Sequence, residues 1–276
     1  MGSDGRPVAV FQLMRSKRMG LSLWSHPAFN QNCAFLMTER ANNPSKRIGE
    51  AKRVHTAIAD HLAAQGGVIT IAFPSSVRDM QPYIWKGFKV VPHYTYRIAL
   101  GPGIEAVRAG YSTETRNSVR KAVADGVVVR VAVRAEVLPL VRATFLRNEK
   151  VIDHRKVEAV LAAFPGDKGS LTLIAERAGK PIAAAFCVFD RHSAYYLLGG
   201  HVKEGGHPGA GALVIDRCIV GAIERGVQLF DLEGSMLPDV ERFFRGFGGS
   251  LVPYFTINRA SFPVEVLLKS SWRHQF

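Results

Sequence analysis

The chain has 276 residues, with 36 Lys and Arg against 23 Asp and Glu, a formal charge of +13 and a pI near 10.0. Apolar residues make up 47%, enough for a packed core and too many for a disordered chain. No run reaches the ~18 apolar residues of a membrane span, and three widely spaced cysteines (Cys33, Cys187, Cys218) exclude a disulfide scaffold and a cysteine-based zinc site and point to a reducing cytoplasm.

The length allows one large domain or two lobes of roughly 130 residues each. The N-terminus lacks the basic-then-apolar pattern of a signal peptide, and Arg6 stands where a myristoylation signal needs Ser or Thr. A surplus of 13 positive charges favours anionic partners such as nucleic acid or phosphorylated small molecules. Those charges cluster at Arg15-Ser16-Lys17-Arg18, at Lys46-Arg47 with Lys52-Arg53, and at Arg116 with Arg120-Lys121. Each cluster alone reads more simply as solvated surface.

In chain order, strands are predicted near Pro7–Met14, Leu21–Trp24 and Cys33–Thr38. A helix over about Lys46–Gln65 follows, then a strand at Val68–Phe73, a short helix at Gln81–Lys86 and a strand at Lys89–Leu100. Ser112 is a suitable N-cap for a polar helix to about Asp125, stopped by Gly126. Val127–Val133 is β-branched and strand-like. Helices are predicted at Ala135–Lys150 and His154–Phe164, the second broken by Pro165-Gly166-Asp167. Ser170–Arg177, Pro181–Phe189 and Ser193–Gly200 form a meander with hairpin-sized turns. The loop Gly205-Gly206-His207-Pro208-Gly209-Ala210-Gly211 opens a helix over about Ala212–Arg225. A strand at Val227–Leu232, a helix at Pro238–Phe244 and a strand at Ser250–Ile257 complete the order.

The end of each half has the same order: strands, helix, strand, short helix, strand. Gly67 lies nine residues before Ser76 and Gly226 nine before Ser235; Gly87 follows Ser76 by eleven and Gly246 follows Ser235 by eleven. Trp85-Lys86-Gly87-Phe88 therefore falls on Phe244-Arg245-Gly246-Phe247, which makes duplication the better account. The aromatics are expected to pin the short helix onto the sheet, and the glycine to permit a tight exit with φ > 0. The halves differ where Phe230-Asp231-Leu232-Glu233 faces Ile71-Ala72-Phe73-Pro74, because both carboxylates are missing from the first. Asp231 and Glu233 alternate with apolar residues and are expected on one side of the strand. They read either as site groups or as structural ion pairs with arginines such as Arg242 or Arg245.

Gly209-Ala-Gly211 precedes a helix, where unpaired N–H groups and the helix dipole suit a phosphate or pyrophosphate. It is neither a Walker loop nor a dinucleotide fingerprint, since no Gly-Lys-Ser/Thr follows and the preceding strands are hairpin-linked. No metal-ligand spacing appears among the nine histidines. No Ser-His-Asp or Cys-His arrangement is visible, so a direct attack is expected rather than a covalent intermediate.

The second half resembles the GNAT acyltransferase fold, and two such units in one chain resemble the Fem-like family. The segments that carry the likeness are Asn117-Ser118-Val119-Arg120-Lys121-Ala122, Asp231-Leu-Glu233-Gly234-Ser235 and Arg242-Phe243-Phe244-Arg245-Gly246-Phe247-Gly248-Gly249. The implied fold is α/β with a mixed sheet, a tandem GNAT-like architecture whose first lobe begins late. Its divisions are a partial lobe at 1–105, a lobe with the donor site at 106–262 and a tail at 263–276. The implied activity is transfer of an acetyl or aminoacyl group from a coenzyme A thioester or aminoacyl-tRNA to a small-molecule or peptide amine. On that basis Gly209, Ala210, Gly211 and Ala212 would hold the coenzyme pyrophosphate, although His207-Pro208 replaces the usual Arg or Gln ahead of the glycines. Glu233, then Asp231, would accept the proton. Arg120, Lys121, Tyr196, His201, Arg242 and Arg245 would contact substrate, no metal being required. The competing expectation is a non-catalytic RNA- or polyanion-binding module on the same fold.

Overall fold

A computed structural model describes residues 6–18, 20–27, 29–38, 41–147, 153–164, 166, 169–234 and 236–271. It divides into one unit of Met1–Tyr94 with Pro253–Phe276 and another of Thr95–Val252. Two long strands cross between them. β6 (Lys89–Ala99) begins in the first unit and ends in the second, and β12 (Ser250–Arg259) does the reverse.

In the first unit, β1 (Ala9–Phe11) pairs with β4 (Phe35–Met37), while β2 (Met14–Arg18) forms a hairpin with β3 (Leu21–Ser25). The predicted strand Pro7–Met14 thus splits between two partners. Helix α1 (Pro44–Gln65) starts two residues earlier than predicted. Asn43 Oδ1 accepts from Ser45 N–H at 2.9 Å, and Pro44 takes the first-turn position where its missing N–H costs nothing. β5 (Val68–Phe73) runs parallel to β3 and antiparallel to β12, and α2 (Gln81–Trp85) follows it. Leu62, Ile71, Phe73, Tyr83, Phe88 and Ile257 fill the core between them.

The second unit contains α3 (Ile104–Ala109), α4 (Thr113–Ala124) and β7 (Val128–Val131), then α5 (Arg134–Arg147) and α6 (His154–Ala163). Strands β8 (Ser170–Arg177), β9 (Lys180–Phe189) and β10 (Ser193–His201) come next. They are followed by α7 (Ala210–Glu224), β11 (Leu229–Asp231) and α8 (Pro238–Arg245). The strand order is β6-β11-β10-β9-β8-β7. Strand β9 is buried through most of its length, as expected of a strand covered on two faces. Ala183, Ala185 and Cys187 share a cluster with Leu213, Ile215 and Cys218 of α7, whereas Phe186 meets Phe164 beyond α6. Ser112 caps α4 as predicted, its Oγ accepting from Thr115 N–H at 3.2 Å. Sequence reading missed α3 and α9 (Phe262–Ser271), and the predicted helix end at Lys150 lies outside the described residues.

Both units use one pairing scheme. An antiparallel pair (β2–β3, β9–β10) leads to a helix (α1, α7), then to a strand parallel to the pair's second member (β5, β11), then to a short helix. The antiparallel neighbour that completes each scheme is β12 beside β5 and β6 beside β11. The repeated motif is only partly equivalent in shape. Gly87 has φ +76°, as expected, but Gly246 is right-handed at φ −57°. A side chain at Gly246 would collide with Thr115 Oγ1, so this glycine serves the close approach of α4. Phe88, Phe244 and Phe247 are buried, whereas Trp85 is exposed beneath the Lys52 ammonium. Ser235, one anchor of the register, lies outside the described residues. Among the described residues, no helix is long and apolar enough to cross a membrane.

Candidate active site

The site begins with an irregularity in β10. Its register against β9 shifts between Tyr196 and Leu198, so Leu197 is an extra residue in a β-bulge. Strand β10 pairs with β11 only over Ser193–Tyr195, leaving its remaining length outside that ladder. The Gly199-Gly200 pair has a steric cause. A Cβ at Gly199 would strike the Tyr196 hydroxyl, and one at Gly200 would strike the Leu140 carbonyl of α5. Tyr196 is thereby held over the strand, edge-on to Phe244 with ring centroids 5.9 Å apart. Burial pushes its phenol pKa far above the ordinary value, so the hydroxyl stays protonated.

The loop after β10 is braced by His207. Its Nδ1 accepts from Gly209 N–H at 3.0 Å and its Nε2 lies 3.0 Å from Asp125 Oδ2, at the end of α4. Hydrogen bonding to His207 is the largest cause holding the Asp125 carboxyl below its usual range. The His207 carbonyl takes Ala210 N–H at 3.0 Å. Two of the four amides predicted to hold an anion are therefore already used. Gly209 is glycine for packing, since a side chain would meet the Ser118 carbonyl of α4. Gly211 is not crowded in this way; a Cβ there would find only Phe243 Cζ, at 3.7 Å. As second and third residues of α7, Gly211 and Ala212 have first-turn N–H groups that the helix itself cannot satisfy.

A cavity of about 490 Å³ opens between these two features. Strand β10 contributes Tyr196, Gly199, Gly200 and His201, the loop Lys203 and Pro208, and α7 Gly211 and Val214. Helix α8 adds Asp239, Val240, Phe243 and Phe244, and α5 adds Thr144. Residues 110–245 match the family model described as Acetyltransferase (GNAT) domain. The second unit carries a GNAT domain. The fold agrees: FemX aligns with TM-score 0.64 and 14% identity, over 98% of this chain and 89% of that one. The C-terminal DUF2156 domain of a candidate lysylphosphatidylglycerol synthetase from Agrobacterium fabrum aligns at 0.60 and 9%, over 95% and 84%. L-PGS from Bacillus licheniformis aligns at 0.55 and 13%, over 99% and 87%. No curated protein matches the sequence.

Of the residues singled out in sequence, the GNAT domain brings Tyr196, His201 and Gly211 together at the cavity. Asp231 and Glu233 are outside its lining and do not share a strand face. Strand β11 ends at Asp231, and Glu233 takes a left-handed backbone at φ +60°. Asp231 is buried and saturated: Oδ1 accepts from Thr95 Oγ1 at 2.5 Å and Glu233 N–H at 2.9 Å, and Oδ2 from Arg97 Nε at 2.7 Å. The arginine it meets is Arg97, not Arg242 or Arg245. Arg245 pairs with Glu241 at 3.1 Å, and Arg242 is exposed on the same helix. Arg120 and Lys121 are exposed on α4, outside the lining. Sequence reading missed Thr144, Lys203, Asp239 and Phe243. The doubled glycine in a strand was the available signal for the bulge. Among the described residues, no group of three or more His, Cys, Asp and Glu could hold a metal ion.

Proposed function

We propose that the second unit transfers an acyl group from a coenzyme A thioester to an amine bound in the 490 Å³ cavity. The observation that carries this reading is the meeting, at one cavity, of a bulged strand released from its neighbour and a helix start with unsatisfied amides. Gly211 and Ala212 N–H groups hold the donor's diphosphate, aided by the positive end of the α7 dipole. Exposed Arg120 and Lys121 on α4, which packs against Gly209, add positive charge for the phosphates. Main-chain N–H groups of β10 beyond Tyr195 polarise the acyl carbonyl, and stabilise the oxyanion as the amine attacks. Tyr196, kept protonated by burial, places its hydroxyl at the cavity as a hydrogen-bond donor for the leaving sulfur. Asp231 holds β6 to β11 rather than taking part in chemistry.

The test is release of free thiol from acetyl-CoA by the purified protein with a panel of amines, repeated with Gly211→Asp. Space around Gly211 lets the fold accept the change, and the carboxylate repels the diphosphate. The variant should raise the donor KM by about tenfold or more. Amide formation from aminoacyl-tRNA alone would replace the thioester by an ester donor. Silence with both donors would overturn acyl transfer, and RNA binding unaffected by Gly211→Asp would then favour a polyanion-binding module.

A further inference from the structure

Two opposite charges face the same cavity without meeting. Asp239 stands in the first turn of α8, and Lys203 in the loop between β10 and α7; both line the cavity. Among the described residues, neither side chain has a hydrogen bond or ion pair, with the other or with anything else. Both are exposed enough to be hydrated, and no ion pair joins them across the cavity they line. Between them the wall is apolar and aromatic: Val214, Val240, Tyr196, Phe243 and Phe244. Phe243 is 39% exposed, although its neighbours Phe244 and Phe247 are 7% and 1%. Its ring packs edge-on to Phe247 at 5.5 Å, and its exposed remainder lines the cavity.

We propose that the acceptor is an amino acid with an apolar side chain, its amine taken by Asp239 and its carboxylate by Lys203. This rests on the acyl-transfer reading and adds the substrate class. A monocation such as a simple amine would satisfy Asp239 and leave Lys203 beside an apolar group. A zwitterion satisfies both poles, and the aromatic wall takes the side chain. The chemistry fits the same assignment. The bound ammonium is unreactive until Asp239 removes one proton. The freed lone pair attacks the acyl carbon, the C–N bond forms and the C–S bond breaks with its electron pair on sulfur. A second proton leaves nitrogen as the amide forms. The thiolate takes up that second proton, and the first passes from Asp239 to solvent.

The probes are L-leucine, L-leucinamide and isopentylamine, which share a side chain and differ in the carboxylate. Each is measured by calorimetric binding to the purified protein and by thiol release from acetyl-CoA. The expected result is that leucine binds, and is used, about tenfold or more better than isopentylamine, the size of one charge-assisted contact. Leucinamide, without the anionic group, should track isopentylamine. Lys203→Ala should bring the leucine-to-isopentylamine ratio close to one, and Lys203→Glu should invert it. Asp239→Asn should lower kcat more than it raises KM. Equal binding of leucine and isopentylamine by the unmodified protein would overturn the proposal, whatever the turnover. Lys203-dependent leucine binding without thiol release would uphold the zwitterion site and count against acyl transfer.

Discussion

Asp231 and Asp239 lie close in sequence and have opposite fates. Asp231 is 1% exposed and receives three hydrogen bonds, whereas Asp239 receives none among the described residues. Asparagine in place of Asp231 removes a buried charge-assisted acceptor, whereas the Arg97 guanidinium is partly exposed to water, so the cost is about 1–3 kcal/mol. Asp231→Asn is therefore expected to lower the unfolding free energy by that amount, read as a lower denaturation midpoint, while the folded fraction keeps its kcat. A turnover defect at unchanged stability would show Asp231 to be chemical rather than structural. Sequence made Asp231 conspicuous because it interrupts an apolar strand, and such an interruption arises equally from a structural anchor. Asp239 carried no signal, since an acidic residue in a first helical turn is ordinary. Its role depends on a cavity built by segments that only the fold brings together.

The glycines around the site separate packing from function. Gly200→Ala would force a methyl group into the Leu140 carbonyl, and overpacking of this kind costs about 1–3 kcal/mol. Gly211→Ala meets no such obstacle and should stabilise α7 by about 0.4–1 kcal/mol while weakening donor binding. Thermal melts with coenzyme A titrations check both; a destabilised Gly211→Ala, or one with unchanged affinity, would count against Gly211 as the point of anion approach. The meander, α7 and α8 were legible in sequence, because their apolar runs are bounded by turns and caps. The bulge at Leu197 had only the doubled glycine as its signal, and what crowds that pair, Tyr196 and α5, is brought there by the fold. Nor was the short α3, whose six residues show too little periodicity.

At the scale of the whole molecule, the two units share a pairing scheme but differ in what they bury. The first buries His55 and half-buries His26 and His93, and desolvation is the largest cause lowering each pKa from 6.5. The folded imidazoles take up protons at lower pH than those of the unfolded chain, which begin to do so near pH 6.5. Stability is unaffected above that pH and falls as pH drops through the folded values. The melting temperature should thus decline between pH 7 and pH 5, and substituting the three histidines by Gln should flatten that dependence; an unchanged slope would place its origin elsewhere. The second unit combines a bulged strand with a helix start braced by His207. The most direct test is the backbone amide spectrum of the protein titrated with acetyl-CoA. The signals of Gly211, Ala212 and Leu197 should shift together and saturate at one affinity. Shifts confined to other residues, or none at all, would contradict an acyl-donor site at this cavity.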